Sequence, residues 1–234
     1  MSNVNILYED NHLIAVFKPA GVLSQPDKSG DQNMLDEVKK YLKENYKKTG
    51  KVFVGLLHRL DRPVSGILLF AKTSKGASRV SEQFRNHVVE KIYHAIVLGK
   101  PKETRGVLVN SLIKDEKLRK GIEKEGVNKS KLYYEVVKSN AKYSLLKIRI
   151  ETGKFHQIRA QLSFAGLPIL GDVKYLPALT ARQAGGRQVE GKWKNEKAIA
   201  LCATSLHFQT ATGEKRVTLS IEIPKEWEKY LSEP

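Results

Sequence analysis

The 234-residue sequence predicts an α+β fold, in which helices and loops flank a mixed, largely antiparallel central sheet. Segments with strand-like composition outnumber helical ones and rarely alternate strictly with them, which argues against a doubly wound α/β fold. The chain is also long enough to bury a hydrophobic core. Because no stretch has the composition of a linker and no repeat is found, we expect one domain over residues 1–234.

The first part of the chain is predicted to combine short strands with two helices. Residues 5–18 predict a hairpin, and Gly66–Lys72 predicts a buried central strand. Asp31 or Asn33 is expected to cap the first helix, and Ser74 the second. The side chains expected to face inward are Leu35, Val38, Tyr41, Leu42 and Tyr46 in the first helix and Ala77, Val80 and Phe84 in the second.

The rest of the chain is predicted to be mainly strands. A helix is expected over His156–Phe164, ended by Gly166, and a short one after Pro224. Residues 117–131 alternate in charge and suit a solvated loop, and residues 177–197 are also expected to form a loop. The strands are expected at 88–98, 106–113, 132–137, 143–150 and 217–223.

Charge is the unusual feature of the composition. The chain holds 41 lysines and arginines against 25 aspartates and glutamates, a net charge of +16. Residues 51–200 carry 30 of the basic and 13 of the acidic side chains, a net +17, whereas the first 50 residues are neutral. A surplus in the body of the chain, rather than in a tail, favours a polyanionic partner such as RNA. On charge alone, a basic enzyme without such a partner stays open.

Composition also excludes several classes of protein. The single cysteine, Cys202, lies in an apolar run and is expected to be buried, so an intramolecular disulfide and a multi-cysteine zinc site are excluded. The six histidines lack metal-ligand spacing, so no metal is expected. No apolar run approaches about 18 residues and the N-terminus has no signal-peptide pattern, so we expect a cytoplasmic protein without membrane contact.

Two polar segments are candidates for a functional site. His58–Gly66 (HRLDRPVSG) places Asp61 between two arginines, whose charges favour an ionised carboxylate. On these residues alone, a catalytic aspartate and a turn with an ion-paired aspartate both remain open. Glu151–Arg159 (ETGKFHQIR) leads into a helix whose first backbone N–H groups suit an anion. A plain helix start with a surface arginine is the alternative.

A third segment, Glu90–Tyr93, lies on a predicted strand. Successive side chains of a strand point to opposite faces, so Lys91 and Tyr93 share one face and Ile92 lies on the other. A lysine beside a tyrosine on one face could serve a functional site. A cross-strand aromatic pair is the simpler explanation.

Four segments together resemble the RluA-type pseudouridine synthases. His58–Lys72 resembles the family's signature of His-Arg-Leu-Asp, a variable pair, Ser-Gly, an apolar run and Ala-Lys. Three more segments resemble other segments of the family, in the expected order: Leu13–Gly21, Val89–Val97 and Thr152–Asp172. The four segments span nearly the whole chain, so chance similarity is implausible.

The resemblance implies an isomerase that converts uridine in rRNA or tRNA to pseudouridine without a cofactor or metal. Asp61 matches the family's essential catalytic aspartate, and Arg159 matches the arginine that keeps it ionised. Tyr93 matches the tyrosine that packs on the target base. Arg59 matches the arginine that holds the flipped nucleotide or fills its place. The pseudouridine synthase fold, an RNA partner and a monomeric state are expected with it.

The sequence also departs from the family's pattern. Val64 stands where threonine is common, and Lys154 keeps the charge of an arginine but loses its planar fork. These changes concern phosphate or substrate contacts rather than the aspartate. Because the catalytic segment begins near Asn5, we expect no N-terminal RNA-binding domain, and we expect the catalytic domain itself to choose the target.

Two functions of other classes remain as alternatives. A non-catalytic RNA-binding or ribosome-assembly module would have no need of Asp61, Tyr93 and Arg159 together. A carboxylate-based sugar hydrolase would need a second acid paired with Asp61, and no aspartate or glutamate is tied to that segment. A base change without a change of mass or a released base separates an isomerase from a glycosylase.

Overall fold

The computed structural model describes residues 4–176, 198–213 and 215–232. The described residues form two compact units, the first within 1–90 and 203–221 and the second within 91–202 and 222–234. Each unit carries mostly antiparallel strands with a few helices, which confirms the predicted fold class. The prediction of one domain stays a prediction, and the loop predicted at 177–197 lies outside the described residues.

In the sheet of the first unit, β4 is the central strand, with other strands paired on both of its edges. Its strands are β1 (Ile6–Glu9), β2 (Leu13–Lys18), β3 (Gly55–Leu56), β4 (Ser65–Ala71), β10 (Leu201–Gln209, in this unit from Ala203) and β11 (Arg216–Ser220). The strand order is β1-β2-β4-β10, with β11 beside β10 and β3 beside β4. The predicted hairpin and the predicted buried strand are both confirmed, since all of β4 after Ser65 is buried.

Two amphipathic helices complete the first unit. In α1 (Met34–Asn45), the Asn33 side chain accepts a hydrogen bond from the Asp36 backbone N–H, as predicted for the cap. In α2 (Ser74–Arg85), the cap is Thr73, one residue before the predicted Ser74, because the Thr73 hydroxyl accepts from the third residue after it. Tyr46 follows the end of α1 and is 48% exposed, so its predicted place on the buried face is wrong.

The core of the first unit forms where alternate side chains of neighbouring strands meet α2. Burial of such apolar surface is the main favourable contribution to folding. The buried side chains of this cluster are Leu13, Ala15, Ile67, Leu69, Ala71, Val80, Val89, Leu206 and Phe208.

The second unit is an antiparallel sheet of five strands in the order β5-β9-β8-β6-β7. Its strands are β5 (Glu90–Leu98), β6 (Arg105–Asp115), β7 (Lys120–Glu123), β8 (Lys129–Ser139) and β9 (Tyr143–Ile150). Residues 117–131 are therefore not a simple solvated loop. The short, charged β7 pairs with β6, and its strand structure comes from backbone pairing rather than an apolar pattern.

The helices of the second unit pack on this sheet. The helix α3 (Gln157–Phe164) packs against β6, β7 and β8, and Gly166 follows it at φ 74°, as expected of a helix stop. After Pro224, a 3₁₀ turn (Lys225–Trp227) leads into α4 (Glu228–Ser232), which packs against β9. Trp227 and Cys202 are buried, as predicted for Cys202.

Gly66 is predicted to be irreplaceable in β4. Its φ is 124°, and a Cβ atom there would overlap the backbone of Ala203. We expect Gly66→Ala to lower the free energy of unfolding by about 2 kcal/mol or more, because both strain and overlap oppose it. Urea unfolding measures this, with Gly50→Ala as control, since nothing lies within 4 Å of a Cβ built on Gly50. Equal effects of both substitutions would contradict the prediction.

Candidate active site

Asp61 lies on the connection between β3 and β4, here called the Asp61 loop (residues 57–64). Neighbouring residues of this loop differ in exposure: Arg59 is exposed, Leu60 is buried and Asp61 is half-buried. The backbone N–H of Val64 donates to the Asp61 carbonyl over 3.0 Å and closes a turn. The carboxylate is therefore carried near solvent by a loop with neighbours anchored in the core.

Ser24 anchors the loop one residue before Asp61. Its hydroxyl donates to the Leu60 carbonyl over 2.7 Å and accepts from the Leu60 backbone N–H over 3.1 Å. Both Ser24 and Leu60 are about 5% exposed. Because both backbone groups of Leu60 are fixed by one side chain, the residue that follows has little freedom to move.

Lys18 anchors the loop one residue after Asp61. Its side chain is completely buried, and Nζ donates to the carbonyls of Pro19 (3.0 Å), Val22 (2.7 Å) and Arg62 (3.1 Å). Burial lowers the pKa of Lys18 to about 7, with the charge of Asp61 opposing this change and the charge of Arg62 contributing to it. Lys18 thus fixes the loop through three backbone carbonyls.

The two arginines beside Asp61 have different surroundings. The Arg62 Nε donates to the Gly21 carbonyl over 2.9 Å, and its Nη1 lies 2.8 Å from the Asp31 carboxylate. Arg59 is exposed and forms no hydrogen bond or ion pair with any residue that the structure describes. Arg62 therefore holds the loop, while Arg59 is available to a ligand.

His58, the first residue of the HRLDRPVSG segment, connects the Asp61 loop to β4 and α2. Its Nε2 accepts a hydrogen bond from the Leu69 backbone N–H over 3.1 Å. Its ring also stacks on Phe84 of α2, with 5.1 Å between centroids. An imidazole that accepts at Nε2 carries its proton on Nδ1, so His58 contributes to structure as a neutral ring.

In the second unit, Arg159 forms a buried ion pair. Its Nε lies 2.7 Å from Oδ2 of Asp172 and its Nη2 lies 2.8 Å from Oδ1, so the pair is bidentate. Arg159 is 5% exposed and Asp172 is 2% exposed. The alternative of a surface arginine is therefore wrong. The guanidinium is held in one orientation by the carboxylate.

His156 extends this pair into a chain of hydrogen bonds. Nη1 of Arg159 donates to Nε2 of His156 over 3.1 Å, which places the imidazole proton on Nδ1, facing the Tyr175 hydroxyl oxygen at 2.9 Å. That oxygen also accepts from the backbone N–H of Gly121. Burial, reinforced by the charge of Arg159, lowers the pKa of His156 to about 3, so the ring is neutral at physiological pH.

Gln157 fixes the segment that precedes α3. Its Oε1 accepts from the Thr152 hydroxyl over 2.7 Å and from the Lys154 backbone N–H over 3.1 Å. Its Nε2 donates to the Lys131 carbonyl of β8 over 3.2 Å. The Lys154 side chain is exposed. This bracing holds the start of α3, and with it Arg159, against the sheet.

Tyr93 lies on β5 and is 7% exposed. It faces Ile148 on β9, and Lys91 faces Ile150, so Lys91 and Tyr93 share a face as predicted. The cross-strand neighbour of Tyr93 is aliphatic, so the alternative of an aromatic pair with β9 is not found. Burial lowers the pKa of Lys91.

The predicted site residues are divided between the two units. The first unit holds Asp61 and Arg59 with Lys18 beside them, and the second holds Tyr93 and Arg159. In the sequence, Lys18 is notable only as part of the segment Leu13–Gly21 that resembles the family, and nothing singles out Ser24. The one available signal was the position of Lys18 at the end of an apolar strand, directly before a proline.

Comparisons with known proteins identify the family. Residues 12–164 match the family model described as RNA pseudouridylate synthase. The chain belongs to this family. It is 32% identical to ribosomal large subunit pseudouridine synthase D of Borreliella burgdorferi, over 98% of this chain and 68% of that protein. It is 30% identical to tRNA pseudouridine synthase C of Haemophilus ducreyi, over 98% of this chain and 95% of that protein.

The fold agrees with that membership. The structure of human RNA pseudouridylate synthase domain containing 4 superposes with a TM-score of 0.74 at 24% identity, covering 96% of this chain and 90% of that one. As a pseudouridine synthase of the RluA type, the protein is an isomerase that acts on uridine in RNA. The matched residues 12–164 contain Asp61, Arg59, Tyr93 and Arg159.

The described residues hold neither a metal-binding cluster nor a membrane-spanning helix. No group of three or more histidine, cysteine, aspartate and glutamate side chains in them is arranged to hold a metal ion. None of the helices within 4–176, 198–213 and 215–232 has the length and hydropathy needed to cross a bilayer.

The synthase is expected to lose stability in acid through His94 and His156, which are half-buried. Burial and the charge of Lys147 lower the pKa of His94 to about 4, and that of His156 is about 3, against about 6.5 in an unfolded chain. The unfolded state therefore binds protons that the folded state does not. The free energy of unfolding should be highest above pH 6.5 and fall as the pH drops toward 4.

Urea unfolding of the synthase at pH 7 and at pH 4.5 measures this loss. His156→Asn should make the decline with pH shallower. His87→Asn is the matched control, because His87 is exposed and both histidines have a left-handed backbone that asparagine tolerates. The same decline in both variants would contradict the prediction.

Proposed function

We propose that Asp61 is the essential carboxylate with which this protein isomerises uridine to pseudouridine in RNA. The observation that carries the proposal is that the residues on both sides of Asp61 are held by hydrogen bonds from buried side chains. Ser24 holds both backbone groups of Leu60, and Lys18 holds the carbonyl of Arg62. Rigid placement of one charged group near solvent is what catalysis on a large substrate requires.

The reaction needs only groups that the chain supplies. The N1–C1′ bond of uridine breaks, the base turns, C5 bonds to C1′, C5 loses its proton and N1 gains one, so no oxidant or reductant takes part. Asp61 can attack C1′, add to C6 or remove a proton from the sugar, and each route uses the ionised form. We propose no cofactor and no metal.

The other predicted residues have proposed roles around the target nucleotide. The uridine has to leave its stack to reach a carboxylate, and the exposed Arg59 is proposed to hold it or fill the space it leaves. Tyr93 is proposed to pack on the target base. Arg159 is proposed to keep Asp61 ionised.

The proposed substrate is a structured RNA, either ribosomal RNA or tRNA. Relatives named for each of these two targets match the chain at about 30% identity. The net charge of +16 supports a phosphate-rich partner. We propose that the protein acts as a monomer in the cytoplasm.

Tritium release tests the proposed reaction. The purified protein is incubated with tRNA and ribosomal RNA transcripts whose uridines carry tritium at C5. We expect tritium to enter water while the RNA keeps its mass apart from the isotope and no uracil is released. Release of free uracil would indicate a glycosylase, and RNA binding without tritium release would indicate a non-catalytic module. Either result would overturn the proposal.

A further inference from the structure

The C-terminal half of α1 and the segment after it form a basic pocket, here called the lysine pocket. It has a volume of about 530 Å³ and lies in the first unit. It is lined by Lys39, Lys40, Lys43, Thr49, Gly50, Lys51 and Val52, and so contains four cations and no carboxylate. The first 50 residues have a net charge of zero, so the charge of that segment as a whole does not reveal this local cluster of lysines.

The stability of α1 does not explain all four lysines. Lys39 and Lys40 lie one turn after Asp36 and Glu37, whose opposite charges favour the helix. Lys43, in contrast, lies one turn after Lys39 and Lys40, and like charges at that spacing disfavour it. The partial negative charge at a helix C-terminus offsets some of this cost within the last turn. Lys51 lies six residues beyond the end of α1, where that effect no longer acts.

Few carboxylates compensate these cations. Lys39 contacts Asp36 over 3.3 Å, and both side chains are largely exposed, so the pair is weak. Lys40, Lys43 and Lys51 are exposed and form no ion pair or hydrogen bond with the residues that the structure describes. A concave surface with uncompensated ammonium groups favours an anion with several acceptor oxygens, as a phosphate has.

Two exposed aromatic side chains occur in the same segment of chain. Tyr46, directly after α1, is 48% exposed, and Phe53, directly after the pocket residue Val52, is 50% exposed. The Nζ of Lys48 lies 5.8 Å from the centre of the Tyr46 ring. Lysines interleaved with exposed aromatic rings are typical of surfaces that hold a nucleic-acid backbone and stack its bases.

We infer that the lysine pocket binds backbone phosphates of the RNA substrate, outside the target nucleotide. The inference rests on the proposed function for its choice of RNA as the ligand. The start of α1 lies beside the Asp61 loop, since Asp31 pairs with Arg62 of that loop and Met34 begins the helix. The 12 residues of α1 measure about 18 Å. The pocket therefore contacts RNA a few nucleotides away from the uridine.

The test compares two variants with the same loss of charge. One replaces Lys40, Lys43 and Lys51 by glutamine, and the control replaces the exposed Lys215, Lys225 and Lys229 by glutamine. Binding of an unmodified tRNA transcript is measured by fluorescence anisotropy over a range of salt concentrations. We expect the pocket variant to raise Kd about tenfold over the control at physiological salt and to lower the salt slope by about 2.

A Kd and a salt slope equal to those of the control would overturn the inference. Phosphorus NMR with inorganic phosphate alone shows whether the pocket binds free phosphate instead of the RNA backbone. If the pocket variant loses phosphate binding but binds RNA as the control does, the inference is also overturned. Phe53→Ala should raise Kd roughly fivefold without changing the salt slope, because stacking carries no charge. Tritium release is scored separately, so loss of the proposed isomerase activity leaves the binding comparison intact.

Discussion

Asp61→Asn is expected to abolish pseudouridine formation, lowering the single-turnover rate at saturating RNA by about 10³-fold or more. The amide has the shape of the carboxylate but cannot act as a nucleophile or a base. The Asp61 loop should keep its structure, because Ser24 and Lys18 hold it through backbone carbonyls and a backbone N–H. The variant should therefore bind RNA with nearly the wild-type Kd.

Asp31→Asn is the matched control for this substitution. Asp31 is another carboxylate beside the same loop, where it contacts Arg62, and both side chains of that pair are more than 40% exposed. An exposed pair of this kind contributes about 1 kcal/mol at most, so the control should keep its rate within a few-fold of the wild type. Equal losses in both variants would mean that the region needs negative charge in general rather than Asp61 itself.

Arg159→Met is expected to cause the largest loss of stability. It leaves the Asp172 carboxylate buried at 2% exposure without its bidentate partner. Removing one partner of a buried ion pair lowers the free energy of unfolding by about 3–5 kcal/mol. Urea unfolding measures the loss. Lys114→Met is the control, because the Lys114–Glu116 pair lies on the surface and should contribute about 1 kcal/mol or less.

A double variant separates the structural from the proposed catalytic role of Arg159. Arg159→Met combined with Asp172→Leu removes both charges, so it should regain much of the stability that the single variant loses. It should not regain pseudouridine formation, because the cation proposed to keep Asp61 ionised is still absent. Recovery of activity together with stability would show that Arg159 acts through the fold alone.

The regular elements were predictable because their hydrophobic periodicity is local. The β1–β2 hairpin, β4 and β9 have strong apolar patterns, and α1 has a clear asparagine cap. The strand β7 was not predictable, because its four residues are held by pairing with β6 rather than by their own side chains. Helix and strand boundaries shifted by a residue or two where capping chemistry decides the end, as at Thr73.

The candidate site was predictable in its residue types but not in its supporting contacts. Asp61 and its arginines stand in one short motif, whereas Lys18 is 44 residues from Arg62, whose carbonyl it contacts. A lysine at a strand end is usually exposed, and its burial depends on three carbonyls that only the folded loops bring together. The Arg159–Asp172 pair depends likewise on the turn after α3. The lysine pocket was missed because averaging charge over 50 residues conceals a local cluster.

Pseudouridine mapping tests most directly whether this protein isomerises uridine in cellular RNA by means of Asp61. Total RNA is mapped from cells without the gene and from the same cells supplied with wild-type protein, Asp61→Asn or Asp31→Asn. We predict that one or more pseudouridines in ribosomal RNA or tRNA disappear without the gene and return with wild-type protein and Asp31→Asn, but not with Asp61→Asn. Return of those pseudouridines with Asp61→Asn would contradict this prediction.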